Sequence, residues 1–132
     1  MIIRVTPNKE KAKSMLMLAE SKEAFANTID IKLYPTNAAE NYYDVIRELA
    51  SAVLLLDGKK AMGEQAHKEI IDELSGYKEF SEDEIALADD LRIKRNNSSY
   101  EGKPVDKIYV ENKKQKWIAL IQKLKQMIKK KV

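Results

Sequence analysis

Three polar side chains near the end of an amphipathic helix could act together on a phosphate group. They are Arg95, Asn96 and Tyr100, in the segment Arg-Asn-Asn-Ser-Ser-Tyr. An arginine fork can hold two phosphate oxygens, and a tyrosine can hydrogen-bond a phosphate or stack on a base. Arg95 and Tyr100 lie about 140° apart around a regular helix, whereas Asn96 and Tyr100 are neighbours. One chain therefore offers a polar strip, and two copies related by a two-fold axis could bring two strips into one cleft.

This segment resembles the signature of HEPN domains, a family of small helical bundles. In the catalytic members Arg-Asn is followed, after three residues, by His, and here Tyr100 stands at that position. Many of these proteins are RNA-cleaving toxins, and others pair with nucleotidyltransferases. The resemblance implies a homodimer with the motif in the groove between protomers. It also implies that Arg95 stabilises the phosphate, that Asn96 orients Arg95 or the RNA backbone, and that residue 100 promotes attack of the 2′-hydroxyl.

The tyrosine decides which HEPN-like function we expect. A group that promotes the attack needs a pKa near neutral, and tyrosine, with a reference pKa of about 10, is a poor general base. We therefore expect a non-catalytic or weakly active module that associates with RNA or nucleotides and pairs with a nucleotidyltransferase or another partner. Two alternatives stay open. One is a metal-independent endoribonuclease with Tyr100 as the catalytic residue, and the other is a structural or regulatory dimer with no nucleic-acid role. None of these three functions requires a metal or a cofactor.

The same helix supplies the basic residues that we expect to contact RNA, namely Arg92, Lys94 and Arg95. Asp89 and Asp90 have Arg92 and Lys94 within i+3 and i+4 reach, so ordinary pairing on the helix surface is the alternative. Without the family resemblance, Arg-Asn near a helix end is most often a helix cap or a surface ion pair.

His67 is the only histidine of the chain. Glu64 and His67 have the Glu-x-x-His spacing of di-iron bundles, but such a site needs a second pair, so a di-iron monomer is excluded. The simpler interpretation places His67 on a helix surface or an interface. The alternative hypothesis is that His67, from another helix, supplies the titrating group that promotes attack of the 2′-hydroxyl and that Tyr100 cannot supply.

Five helices can be placed from their apolar spacing and their end signals, which predicts an all-α, up-and-down bundle in a single domain over residues 1–132. The first follows Thr6-Pro7, the second starts near Thr36-Asn37, and the third runs from Glu64 to Leu74. The fourth starts at the capping box Ser81–Glu84 and ends at Gly102, and the fifth is capped by Asp106. The predicted inward stripe of the first helix consists of Met15, Leu18, Ala19, Phe25, Ala26 and Ile29.

Some local features are predicted in less detail. Glu40 is expected to cap the second helix, and one of Tyr42 and Tyr43 is expected to face partly outward because helix neighbours diverge by about 100°. Trp117 lies on the apolar stripe of the last helix and should pack in the core. Residues 58–63 are expected to form a loop, and an N-terminal strand over residues 2–5 is possible only with a partner strand.

Composition favours a soluble helical protein. Of the 132 residues, 44% are hydrophobic and 34% are charged, and the absence of Cys excludes disulfides and thiolate metal sites. No apolar run approaches the ~20 residues that span a bilayer, so we expect a cytoplasmic protein with no membrane association. Residues 107–132 carry nine Lys against one Glu, whereas residues 1–106 carry 15 Lys or Arg against 20 Asp or Glu. The basic last helix could attract phosphates, although a solvated lysine face is the preferred interpretation.

Overall fold

The computed structural model describes residues 1–132 and confirms an all-α bundle of five helices, to which it adds a small two-stranded sheet. The helices are α1 (Lys9–Ala26), α2 (Pro35–Leu56), α3 (Ala66–Leu74), α4 (Glu82–Glu101) and α5 (Lys107–Lys129). The strands are β1 (Ile2–Arg4) and β2 (Lys59–Ala61). None of the helices is both long enough and apolar enough to cross a bilayer.

The central element is α2, which contacts each of the other four helices. Its neighbours surround it, and this explains why Tyr42 and Tyr43 are both fully buried although they follow one another in the helix. The expectation that one of them faces outward is therefore wrong. Trp117 of α5 is also fully buried, as predicted, with its ring 5.8 Å from that of Tyr42.

The ends of α4 and α5 follow the local signals in the sequence. The Glu84 amide donates to the Ser81 hydroxyl at 3.1 Å, and the Ser81 amide donates to the Glu84 carboxylate at 2.9 Å, which forms the predicted capping box. Gly102 ends α4 with a φ of +67°, a conformation that glycine adopts without strain. Asp106 caps α5 by accepting a hydrogen bond from the Ile108 amide. Ser81 and Gly102 thus fix the bounds of α4, the helix that carries the segment from Arg92 to Tyr100.

The inward face of α1 differs from the predicted stripe. Leu18 and Phe25 are exposed, and the buried positions are Ala12, Leu16, Ala19, Glu23 and Ala26. Their spacing alternates between four and three residues, with alanine at every seventh position. Small side chains allow α1 to lie close to α2, so the seam follows the alanines and leaves two larger apolar side chains in solvent.

The N-terminal strand exists because it finds a partner in the segment that follows α2. β1 and β2 are antiparallel, with Ile2 opposite Ala61 and Arg4 opposite Lys59. The prediction of a loop over residues 58–63 is therefore wrong for residues 59–61. Gly58 leads into β2 with a φ of +72°, and a Cβ atom there would lie 2.8 Å from the Val5 carbonyl oxygen. Only glycine allows this approach of the two chain segments.

The start of α2 is held by long-range hydrogen bonds instead of a local cap. The helix begins at Pro35, and Tyr34 before it makes no side-chain capping bond. Glu40, the predicted capping partner, accepts hydrogen bonds from Ser98 at 2.9 Å and from Ser99 at 3.2 Å. These bonds fasten the C-terminal end of α4 to α2. A start of α3 at Glu64 is also wrong by two residues, since the helix begins at Ala66.

Candidate functional site

Arg95 lies where three helices meet. Its guanidinium carbon is 5.8 Å from the centre of the Tyr43 ring on α2. The side chain is half-buried and takes part in no ion pair of the structure. A cation over an aromatic face gains modest electrostatic energy, and the donors of the fork remain free for an anion.

His67 approaches the same tyrosine from α3. Its ring centre lies 6.1 Å from that of Tyr43, so Tyr43 contacts both the imidazole and the Arg95 guanidinium. Burial lowers the pKa of His67, and the positive charges of Arg47 and Arg95 lower it further, against an opposing effect of Asp44. The imidazole is therefore neutral near pH 7 and can accept a proton.

The Tyr43 ring contacts both Arg95 and His67, and its hydroxyl has no hydrogen-bond partner in the chain. Burial raises the pKa of Tyr43 to about 12, although Arg47, Arg92 and Arg95 act in the opposite direction. The hydroxyl is buried and has no hydrogen-bond partner. Tyr43 is therefore a neutral phenol at all physiological pH values.

Arg47, one helical turn after Tyr43, completes the basic surroundings. Its terminal nitrogen lies 4.0 Å from Asp44 and 3.9 Å from Glu48, distances too long for hydrogen bonds. Its Nε atom is buried without a partner. Arg47 therefore has donor capacity that the folded chain leaves unused. The residues Tyr43, Arg47, His67, Arg92 and Arg95 are referred to below as the arginine–histidine cluster.

The three predicted RNA-binding residues point to two sides of α4. Arg92 faces the cluster: it is largely buried, donates to Asp89 at 2.8 Å and affects the pKa of Tyr43 and His67. Lys94 lies on the α5 side, with its ammonium 5.0 Å from the centre of the Tyr109 ring. The structure thus brings Arg92 and Arg95 together and places Lys94 apart from them.

Asn96 and Tyr100, the other two motif residues, stand outside the cluster. The Tyr100 side chain is 77% exposed, and no hydrogen bond or ring contact holds it. Asn96 is half-buried and its side-chain amide makes no hydrogen bond. Within one chain, Tyr100 is placed as an exposed aromatic surface, which suits stacking on a base.

Tyr43 and Arg47 are the members of the cluster that the sequence analysis did not assign to the site. Both lie on α2 at a spacing of four residues, which places them on one helix face. That spacing is visible in the sequence, but it is common on helices. Only the packing of α2 against α3 and α4 reveals that this face meets Arg95 and His67.

The cluster has the chemistry of a binding site for a phosphate oxyanion, with three arginines and a neutral imidazole beside a phenol that keeps its proton. Arginine forks suit phosphate because each can donate two parallel hydrogen bonds. No three His, Asp or Glu side chains of the chain lie close enough together to hold a metal ion. Comparison with models of protein families and with curated proteins gives no match for this chain.

Proposed function

We propose that this protein is a cytoplasmic HEPN-like helical module that associates with RNA or nucleotides and pairs with a nucleotidyltransferase or another protein. It cleaves RNA weakly or not at all. The observation that carries this proposal is the placement of Arg95, whose fork is unpaired and lies within a cluster of arginines beside His67. Arg95, one residue of the motif that resembles the HEPN signature, thus lies in the site whose chemistry suits phosphate.

Different residues of α4 contact different parts of a bound RNA strand. Arg95 binds a backbone phosphate, and Arg92 adds positive charge from one turn earlier. Lys94 contacts the strand further toward α5. Asn96 orients the phosphate, and Tyr100 stacks on a base from its exposed position. The phosphate contacts supply most of the affinity, and the stacking tolerates any base.

A homodimer would bring two copies of this strip together. Ile93 and Tyr100 are both exposed large side chains, seven residues apart on one face of α4. They are the apolar contacts that α4 offers to a second protomer beside the motif. A two-fold axis along this face brings the two Tyr100 side chains together, and each Arg95, about 140° around the helix from Tyr100, flanks the contact on its own protomer.

The alternative is a metal-independent endoribonuclease in which His67, rather than Tyr100, is the general base. The specific observation that favours this candidate is the neutral imidazole beside the Arg95–Tyr43 contact. His67 would take the proton of a 2′-hydroxyl, whose oxygen attacks the adjacent phosphorus. The bond from phosphorus to the 5′-oxygen breaks, water protonates that oxygen, and a 2′,3′-cyclic phosphate results.

The test is the affinity for a fluorescently labelled single-stranded RNA, measured in EDTA at one fixed salt concentration. Hydrogen bonds to charged groups are worth about 1.5–3 kcal/mol, so Arg95→Ala should weaken binding roughly 10- to 100-fold. Arg95→Lys should recover only part of the loss, because lysine keeps the charge but not the fork. Lys113→Ala is the matched control for the loss of one positive charge, since Lys113 lies among Asp83, Glu84 and Asp90 on the other side of α4.

Equal affinities for the wild type, Arg95→Ala and Lys113→Ala would contradict the proposed site. RNA cleavage by the wild type that is lost in His67→Gln and yields cyclic phosphate ends would favour the ribonuclease. Absence of both binding and cleavage in the wild type would leave the alternative of a structural or regulatory protein.

A further inference from the structure

A cavity adjoins the arginine–histidine cluster on the side of the small sheet. It has a volume of about 240 Å³ and lies between the start of α1, the second half of α2, β2 and the start of α3. Arg47 and His67 line it and thus belong to both the cluster and the cavity. An anion bound in the cavity would therefore lie next to a ligand held by Arg95.

The charge around this cavity has one sign. Its lining includes the cationic side chains of Lys11, Arg47, Lys59 and Lys60 together with the neutral His67, and no aspartate or glutamate. Lys59 is compensated by Glu73, whose carboxylate accepts a hydrogen bond from it at 3.1 Å. Lys11 and Lys60 form no ion pair. Like charges gathered around a concave surface raise the local concentration of anions.

The first turn of α3 adds a backbone donor to the same wall. The helix begins at Ala66, and Gln65 before it provides no side-chain cap. Ala66 and His67, the first two residues of the helix, both line the cavity. The Ala66 amide already donates to the Gly63 carbonyl at 3.2 Å. The His67 amide lies in the same first turn, where amide groups lack partners within the helix and carry its positive dipole, which favours an oxyanion. The buried, unpartnered Nε of Arg47 is a further donor.

The rest of the wall is apolar, which defines the body of the ligand. Half of the twelve lining residues are hydrophobic, namely Met15, Leu54, Leu55, Ala61, Ala66 and Ile70. A volume of about 240 Å³ equals about eight water molecules of liquid. This exceeds what a bare phosphate fills and is smaller than most drug-sized pockets.

We propose that this cavity binds a phosphomonoester dianion attached to a small, partly apolar body. Lys11, Lys60, Arg47 and the first turn of α3 hold the phosphate, and the apolar wall contacts the attached group. Two sources provide this chemistry: a free phosphorylated small molecule, or the terminal phosphate of an RNA strand. The second source rests on the proposed function, because the strand would continue past His67 to Arg95, whereas the first does not.

The test uses the single histidine as a local reporter. The His67 ring resonances are followed by proton NMR while phenyl phosphate or inorganic phosphate is added. Phenyl phosphate should cause a saturable shift at lower concentration than inorganic phosphate. It should also raise the pKa of His67, because a nearby anion favours the charged imidazole. The double variant Lys11→Ala/Lys60→Ala should weaken binding roughly tenfold. Lys9→Ala/Lys13→Ala removes two lysines of α1 that do not line the cavity and should leave binding unchanged.

A pair of trinucleotides distinguishes the two sources. If the RNA end is the ligand, a 5′-phosphorylated trinucleotide binds more tightly than its 5′-hydroxyl counterpart, and Lys11→Ala/Lys60→Ala removes the difference. If only phenyl phosphate binds, the ligand is a free small molecule. No saturable shift with phenyl phosphate or the phosphorylated trinucleotide, or equal affinity of both double variants, would overturn the proposal. Arg95→Ala distinguishes the two sites. If this variant loses RNA affinity but binds phenyl phosphate normally, the loss is due to the arginine–histidine cluster and not to the cavity.

Discussion

The only histidine of this site, His67, comes from a different helix than the motif. Tyr100, at the position of the family histidine, is exposed and makes no contact within the chain. His67 contacts the same tyrosine ring as Arg95. The sequence could suggest this relation because the chain has one histidine. It could not establish the relation, because the contact depends on how α2, α3 and α4 pack.

His67 should make the stability of the fold depend on pH below about 6.5. Burial and neighbouring arginines lower its pKa in the folded protein from the usual 6.5, so the unfolded chain binds the proton more readily. The free energy of unfolding therefore has its full value above pH 6.5 and falls as the pH drops toward the folded-state pKa. Urea unfolding at several pH values between 8 and 5.5 measures this decrease.

His67→Gln is the control for this effect, because glutamine does not titrate. The variant should have a flatter dependence between pH 6.5 and 5.5. The carboxylates with lowered pKa, Asp57 and Glu84, lose their contribution only at lower pH, near and below their usual values. An equally steep decrease in wild type and His67→Gln would show that another group is responsible.

At the scale of the elements, local signals in the sequence were sufficient to predict helix bounds. Features that depend on contacts between distant residues could not be predicted. The capping box at Ser81 and the glycine at position 102 act within one helical turn, so the bounds of α4 could be predicted. The strand pairing of β1 with β2 joins residues about 57 positions apart in sequence and involves only three residues on each strand. So short a strand shows no alternation, and its partner cannot be identified from the sequence alone.

The prediction of the inward face of α1 was wrong for a related reason. The helical spacing of apolar residues suggested Leu18 and Phe25 as core residues, whereas the packing of α1 against α2 buries alanines. The charged side chain of Glu23 is part of the buried seam because Lys125 of α5 donates a hydrogen bond to it at 2.9 Å. No pattern within α1 announces a partner 102 residues away.

This Glu23–Lys125 pair should contribute measurably to the docking of α5 on α1. The two side chains are only 11% and 13% exposed. Although burial lowers the pKa of Lys125, its hydrogen bond to Glu23 and the charges of Glu23 and Glu20 raise it overall. Lys125→Met leaves the Glu23 carboxylate buried and unpaired, which should reduce the free energy of unfolding by about 2–3 kcal/mol. Urea denaturation measures the loss.

Lys129→Met is the matched control for this prediction. Lys129 is 52% exposed and pairs with Glu20 at 3.4 Å, so its loss should cost less than about 1 kcal/mol. The double variant Glu23→Gln/Lys125→Met should regain part of the stability, since no charge then remains buried. Similar losses in Lys125→Met and Lys129→Met would refute a special role of the buried pair.

At the scale of the whole molecule, the charge asymmetry of the sequence serves largely to attach the last helix. Of the nine lysines in residues 107–132, four pair with carboxylates from residues 1–106: Lys123 with Glu84, Lys125 with Glu20 and Glu23, Lys129 with Glu20, and Lys131 with Asp57. Lys113 and Lys116 also lie near carboxylates of α4. The basic segment is therefore partly neutralised in the fold, and the unpaired arginine at position 95 is the better candidate for an RNA contact.

The proposed dimer can be tested by a charge placed on the exposed strip of α4. If two protomers meet there, Ile93→Glu puts two carboxylates into one apolar contact, so the protein should sediment as a monomer at concentrations where the wild type is dimeric. RNA affinity should fall as well, because one strand can then no longer contact both protomers. Analytical ultracentrifugation and the RNA-binding assay measure the two effects.

Ile108→Glu provides the comparison, since Ile108 is also an exposed isoleucine but lies on α5. It should leave both the mass and the RNA affinity of the wild type unchanged. A wild type that is monomeric at all concentrations would rule out the dimer but not the RNA site. In that case the exposed strip of Ile93 and Tyr100 would remain available to a different protein, and the two-fold groove would have no part in RNA binding. Loss of dimerisation in Ile108→Glu but not in Ile93→Glu would instead move the interface to α5, and the two copies of Arg95 would then act independently.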